Sequence, residues 1–125
     1  MTTYKLNPYA DINGTSKVAT LNTTFGQLLA VFGMPEESDG HKSSGDWLFS
    51  SDNGDVFTIY DWKATNLYDS SLPSVEKFRS SPDLVAFSVG GQSDASEFLS
   101  WVSFKLNEEA EPVPSITASW RTLAV

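Results

Sequence analysis

Trp47-Leu48-Phe49-Ser50-Ser51-Asp52-Asn53-Gly54-Asp55-Val56-Phe57-Thr58-Ile59-Tyr60-Asp61-Trp62-Lys63 sets two aromatic-rich runs on either side of an Asn-Gly pair. Asn-Gly is the strongest short-range signal for a two-residue β-hairpin, because a type I′ turn needs positive φ at both central residues. Such a loop sets Asp52 opposite Asp55, Ser50 opposite Phe57, Leu48 opposite Ile59 and Asp46 opposite Asp61. Side chains alternate along a strand, so Leu48, Phe57 and Ile59 share the face that seats helices. Trp47, Phe49, Val56, Thr58, Tyr60 and Trp62 then share the other face. That aromatic face exceeds the needs of one small core and calls for a cover: the chain's own arms, a second subunit, or a ligand or partner protein.

Working outward, Thr24 and Gln27 form a capping-box pair, and Phe25, Leu28, Leu29 and Phe32 recur at i, i+3, i+4, i+7. The spacing predicts a helix over 24–32, closed by Gly33 and Pro35. Val18 to Leu21 reads as a short strand before it. Asp83 to Val89 reads as a third core strand, ended by Gly90-Gly91. Ser93 or Asp94 then caps a second helix running to about Leu106. The long segment from Ala64 to Pro82 holds one helical turn near Ser74 to Arg79. The expected fold is therefore α+β: an antiparallel sheet, made of the hairpin plus one or two further strands, with two helices packed on one face. An N-terminal arm (1–17), an α+β domain (18–107) and a C-terminal arm (108–125) complete the division. The C-terminal arm is apolar for a chain end. Tyr9, Ile116, Trp120 and Leu123 are its and the N-terminal arm's candidate contacts in a homo-oligomer.

The chain has 125 residues, enough for a single real core. Its formal net charge is -8, from sixteen acidic and eight basic residues. That balance repels nucleic acid and anionic lipid, so neither direct nucleic-acid binding nor membrane binding is expected. Cysteine is absent, which removes disulfides, thiolate nucleophiles and thiolate metal sites. No stretch approaches the roughly 20 apolar residues of a membrane helix, and the first residues lack a signal-peptide core. The expected compartment is the cytoplasm.

Few residues invite catalysis. The single histidine, His41, lies in a polar loop without triad or metal-ligand partners in its spacing. Asp52, Asn53, Gly54 and Asp55 look like part of a calcium loop, but the terminal glutamate is missing and a turn explains them. Asp46 and Asp61, facing each other across the expected ribbon, form the one candidate acid/base dyad. The reading leans away from an enzyme, with no metal and no cofactor. A binding corner is the stronger candidate. Gly90, Gly91 and Ser93 present backbone amides and a hydroxyl at a helix start, Lys63 adds a charge, and Tyr60 and Trp62 offer rings for stacking a base. With Trp47 and Asp61 these make up the candidate ligand or partner surface, since Trp and Tyr are enriched where interfaces concentrate their energy.

Phe32-Gly33-Met34-Pro35, Asp46-Trp47, Thr58-Ile59-Tyr60-Asp61-Trp62-Lys63 and Phe87-Ser88-Val89-Gly90-Gly91 together resemble a family of small, uncharacterised bacteriophage proteins. In that family a helix ending Phe-Gly-x-Pro precedes a Glu-Trp strand, a Thr-Ile-Tyr-Asp-Trp-Lys or Tyr-Lys strand and a Trp-His-Ile-Gly-Gly segment. The likeness spans roughly Leu21 to Leu106. Asp46 stands where glutamate is usual, and Phe87-Ser88 where Trp-His is usual, so a role for that histidine does not carry over. The resemblance implies a phage origin and no particular activity. A small acidic phage protein of this kind is expected in the host cytoplasm as a non-enzymatic accessory factor. It would bind and inhibit a host protein, or sequester a small nucleotide signal used in defence. The alternative is a virion or assembly protein whose arms bridge subunits.

Overall fold

The computed structural model describes residues 2–38, 40 and 42–110. His41, Ile116, Trp120 and Leu123 lie outside the described residues. Eight elements follow one another: β1 (Tyr4–Leu6), β2 (Ser16–Thr23), α1 (Phe25–Phe32), β3 (Asp46–Ser51), β4 (Val56–Tyr60), α2 (Val75–Ser80), β5 (Val85–Gly91) and α3 (Ser96–Ala110). The strands form one antiparallel sheet in the order β1-β3-β4-β5-β2, so the fold is α+β with an open antiparallel sheet. Among the described residues the sheet has five strands and there are three helices, the short α2 lying where one helical turn was expected.

The hairpin forms, but in a different register. Trp47 faces Ile59, Phe49 faces Phe57 and Asp46 faces Tyr60. The loop has three residues: Ser51 N–H donates to Asp55 O (2.9 Å) and Gly54 N–H to Ser51 O (3.0 Å). Only Gly54 takes positive φ (88°); Asn53 does not. The cause is Ser51, whose hydroxyl accepts from the amides of Asn53 (3.2 Å) and Asp55 (3.0 Å). Those bonds stabilise a three-residue loop with glycine last, over the type I′ alternative. A one-residue slip of β3 against β4 turns β3 over, while Phe57, Thr58, Ile59 and Tyr60 of β4 keep the faces expected of them. Trp47, Phe49, Phe57 and Ile59 therefore point at the helices and are 2% exposed or less. The expected aromatic face is divided: Trp47 and Phe49 join the core, while Val56, Thr58 and Tyr60 stay on the open face. The Asp46–Asp61 pair is lost too, since the new register sends them to opposite sides.

The helices close this face with aromatic contacts. Phe98 of α3 stacks on Phe57 (4.7 Å between ring centres, 7° between planes). Phe25 and Phe32 of α1 meet Trp47 (5.5 Å) and Phe49 (5.0 Å), and Phe78 of α2 meets Phe87 (6.2 Å). Such pairs add about 0.5–1.5 kcal/mol each to the area they bury. The capping box of α1 is present: Gln27 N–H donates to Thr24 Oγ1 (3.0 Å), and Gln27 Oε1 accepts from Thr24 N–H (3.2 Å). Gly33, at φ 79°, ends the helix and its N–H donates to Leu29 O. The Trp47 indole donates to Gly33 O (2.8 Å), tying the helix end to β3. α3 begins one or two residues later than expected: Leu99 N–H donates to Ala95 O, while Asp94 accepts from the Ser96 hydroxyl.

The N-terminal stretch joins the sheet. β1 pairs with β3 at one edge, and β2 pairs with β5 at the other. Residues 7–15 must therefore cross the sheet. They do so as a strap of short turns, anchored where Asn7 N–H donates to Leu48 O (2.8 Å) and where Gln92 Nε2 donates to Asn13 O (2.8 Å).

Candidate functional site

The face of the sheet opposite the helices carries Asp46, Leu48, Ser50, Val56, Thr58, Tyr60, Ser88 and Gly90, as the register dictates. Leu48, Thr58, Ser88 and Gly90 are buried although no helix lies above them. The strap and the loop between α1 and β3 cover them in part. Between these covers lies a cleft of about 210 Å³. Its floor is Thr58, Tyr60 and Gly90 from the central strands, with Asp46 beside them. Ile12 and Thr15 of the strap, with Ser16 at the start of β2, supply one wall, Ser38 and Ser43 the loop wall, and Trp62 the rim. Among the described residues the lining is thus rich in hydroxyls, with one carboxylate and two aromatic rings.

Gly90 makes this floor possible. A Cβ there would lie 2.5 Å from Thr58 Oγ1 and 3.5 Å from the Tyr60 ring. Gly91 does the same work on the other side, where a Cβ would lie 2.8 Å from the Phe57 ring. Burial raises the Tyr60 phenol above its ordinary pKa, against a smaller opposing effect of a hydrogen bond with Ser88. The phenol is therefore neutral at ordinary pH, and can both donate and accept.

Trp62 is half exposed and packs edge-on against Tyr60 (6.1 Å). The ammonium groups of Lys42 and Lys63 lie 5.6 and 5.4 Å from its ring centre, and Lys63 also lies 4.9 Å from that of Tyr68. Lys63 is the one non-glycine residue with positive φ (56°) among the described residues. Its N–H bonds to Lys42 O, which joins the two lysine backbones. Backbone conformations of this kind are held only where the surroundings fix them, and they gather at binding sites.

Asp61 sits below this rim, 4% exposed. Its carboxylate accepts from Ser44 N–H (3.0 and 3.1 Å), Gly45 N–H (3.1 Å), Ser43 Oγ (3.2 Å) and Ser44 Oγ (2.7 Å). Charge-assisted bonds of this type are the strong ones. Here they clamp the loop that carries Lys42 and Ser43, so Asp61 positions the cleft wall and does not face a ligand.

The residues expected at a site therefore separate. Tyr60, Trp62 and Gly90 meet in the cleft, with Lys63 at its rim. Trp47 and Gly91 face the core, so neither is open to a ligand. Ser93 is exposed beyond the Gly91 end of the β4–β5 ladder, whereas Lys63 follows Tyr60 at the opposite end. The expected glycine corner with a lysine beside it does not assemble, because Gly90 and Gly91 are paired strand residues. Thr15, Ser16, Ser38, Ser43, Thr58 and Lys42 were not expected at a site. Alternation along β4 had already set Thr58 beside Tyr60, and the correct register adds Asp46 to that face. Among the described residues no group of three or more His, Asp or Glu could hold a metal, and no helix is long and apolar enough to cross a membrane. The chain matches no protein-family model and no curated protein.

Proposed function

We propose that this chain is a non-enzymatic binding protein that captures a small nucleotide in the cleft on its open sheet face. As a phage accessory factor in the host cytoplasm, it would withdraw a signal used in defence. The observation that carries the reading is the convergence of Trp62, Tyr60 and two lysines at the mouth of a hydroxyl-lined cleft, in a chain whose acids outnumber its bases two to one. An exposed indole offers a base a stacking surface, and the ammonium groups offer phosphate a counter-charge. The phage and host parts of the proposal rest on the motif resemblance alone.

Calorimetric titration with a panel of mononucleotides, cyclic nucleotides and ADP-ribose tests it. Binding of at least one is expected, weakened about tenfold or more by Trp62→Ala, in line with the roughly 1–3 kcal/mol of base–aromatic stacking. If no member of the panel gives heat, nucleotide capture is wrong and inhibition of a host protein becomes the better reading. The virion alternative has less support, because the N-terminal arm it would use to bridge subunits pairs with β3 of its own chain.

A further inference from the structure

We infer that α3 is the contact helix of a twofold dimer, in which Phe104 of each copy enters a groove on the other. The inference is independent of the nucleotide reading. Tyr4 of β1 and Glu97, Ser100, Trp101, Phe104 and Lys105 of α3 line a groove of about 400 Å³ at the β1 edge of the sheet. Phe104 is 61% exposed there. Trp101 is half-buried and held in place by the rings of Tyr4 (5.4 Å), Phe32 (5.8 Å) and Phe49 (5.9 Å). A fixed aromatic floor beside an open aromatic side chain is the composition found at the centre of protein interfaces.

The spacing of charge identifies the occupant as a second copy. Glu97, Trp101 and Lys105 stand four residues apart on one ridge of the helix, so an acid and a base lie about 6 Å along the axis on either side of the indole. A twofold axis through Trp101 sets Glu97 against the partner's Lys105 and Lys105 against the partner's Glu97. The same rotation brings Phe104 to the partner's Ser100, whose small side chain leaves room beside Tyr4. The surface is then its own complement, as an isologous contact requires. A foreign helix has no reason to match an acid and a base placed evenly about one ring. Existing contacts hold these charges weakly. Glu97 accepts from Thr2 N–H and Thr2 Oγ1, both at 3.3 Å, and meets no cation among the described residues. Lys105 reaches Glu108 at 3.7 Å, an exposed i,i+3 pair of the kind that contributes little. One pair of 15-residue helices makes less than a standard interface, so the dimer belongs to the micromolar range.

The test is sedimentation equilibrium of the full chain and two charge reversals. The unaltered chain is expected to dimerise at micromolar concentration. Glu97→Lys and Lys105→Glu, each alone, should weaken association at least about tenfold, because each sets like charges together at two symmetric points. An equimolar mixture of the two variants should associate again, since every introduced charge then meets its opposite. An unaltered chain that stays monomeric to millimolar concentration overturns the inference. So does a dimer indifferent to both reversals, or a mixture that stays as monomeric as its components. Glu97→Lys also releases Thr2. If that variant loses its far-UV spectrum, Lys105→Glu decides by itself, and unchanged association in it overturns the twofold contact.

Discussion

Single residues set the two surfaces of this sheet. Gly91 permits the Phe57–Phe98 stack, and Gly91→Ala is expected to cost about 1–3 kcal/mol of stability by overpacking, read as a lower urea midpoint with unchanged slope. Asp61→Ala leaves the amides of Ser44 and Gly45 without their acceptor. It should lower stability by about 1–3 kcal/mol and, by releasing the loop that carries Lys42, weaken ligand binding as well. Two phenols add a pH dependence. Tyr60 is raised by burial, and Tyr4 by burial and then by Glu97, Asp55 and Asp52. Folding favours the neutral form of each. Their contribution is complete below the ordinary tyrosine value of about 10 and is lost as pH rises past it. Melting curves should hold level through pH 9 and fall above pH 10, less steeply in Tyr60→Phe.

Elements record how far local chemistry was readable. Helix α1 follows its cap, its stripe and its terminating glycine, because each signal acts within a few residues. The hairpin shows the limit. Asn53-Gly54 announced a turn correctly, yet the loop length was decided by the Ser51 hydroxyl, a bond that no propensity anticipates. The consequence is testable in two substitutions. Asn53→Ala should change stability by less than about 0.5 kcal/mol, whereas Gly54→Ala should cost about 1 kcal/mol or more, since only Gly54 has positive φ. Equal losses in the two melts would restore the type I′ turn.

At the scale of the molecule, the α+β class and most strands were legible, and the cleft was not. Tyr60, Trp62 and Gly90 drew notice through residue type, but Ser38, Ser43 and Thr15 come from covers whose path depends on which edge each strand joins. Self-association also belongs to this scale. Tyr9 (93% exposed) and Phe104 (61% exposed) are unusually open for aromatic residues. A homo-oligomer is expected in sedimentation at micromolar concentration, with Tyr9→Glu or Phe104→Glu shifting it towards monomer; monomer throughout in the unaltered chain would refute it.

The strap has a consequence for how the chain matures. Leaving a ribosome amino end first, β1 and β2 emerge early, yet their ladders require Ser51 and Gly91 respectively. Neither early strand has anything to pair with while the middle of the chain is still being made, and contacts so distant along the chain form slowly. The roof over the cleft therefore closes only after β5 has been made. A nascent or truncated chain lacking β5 would possess Trp62 and both lysines and still be unable to hold a guest.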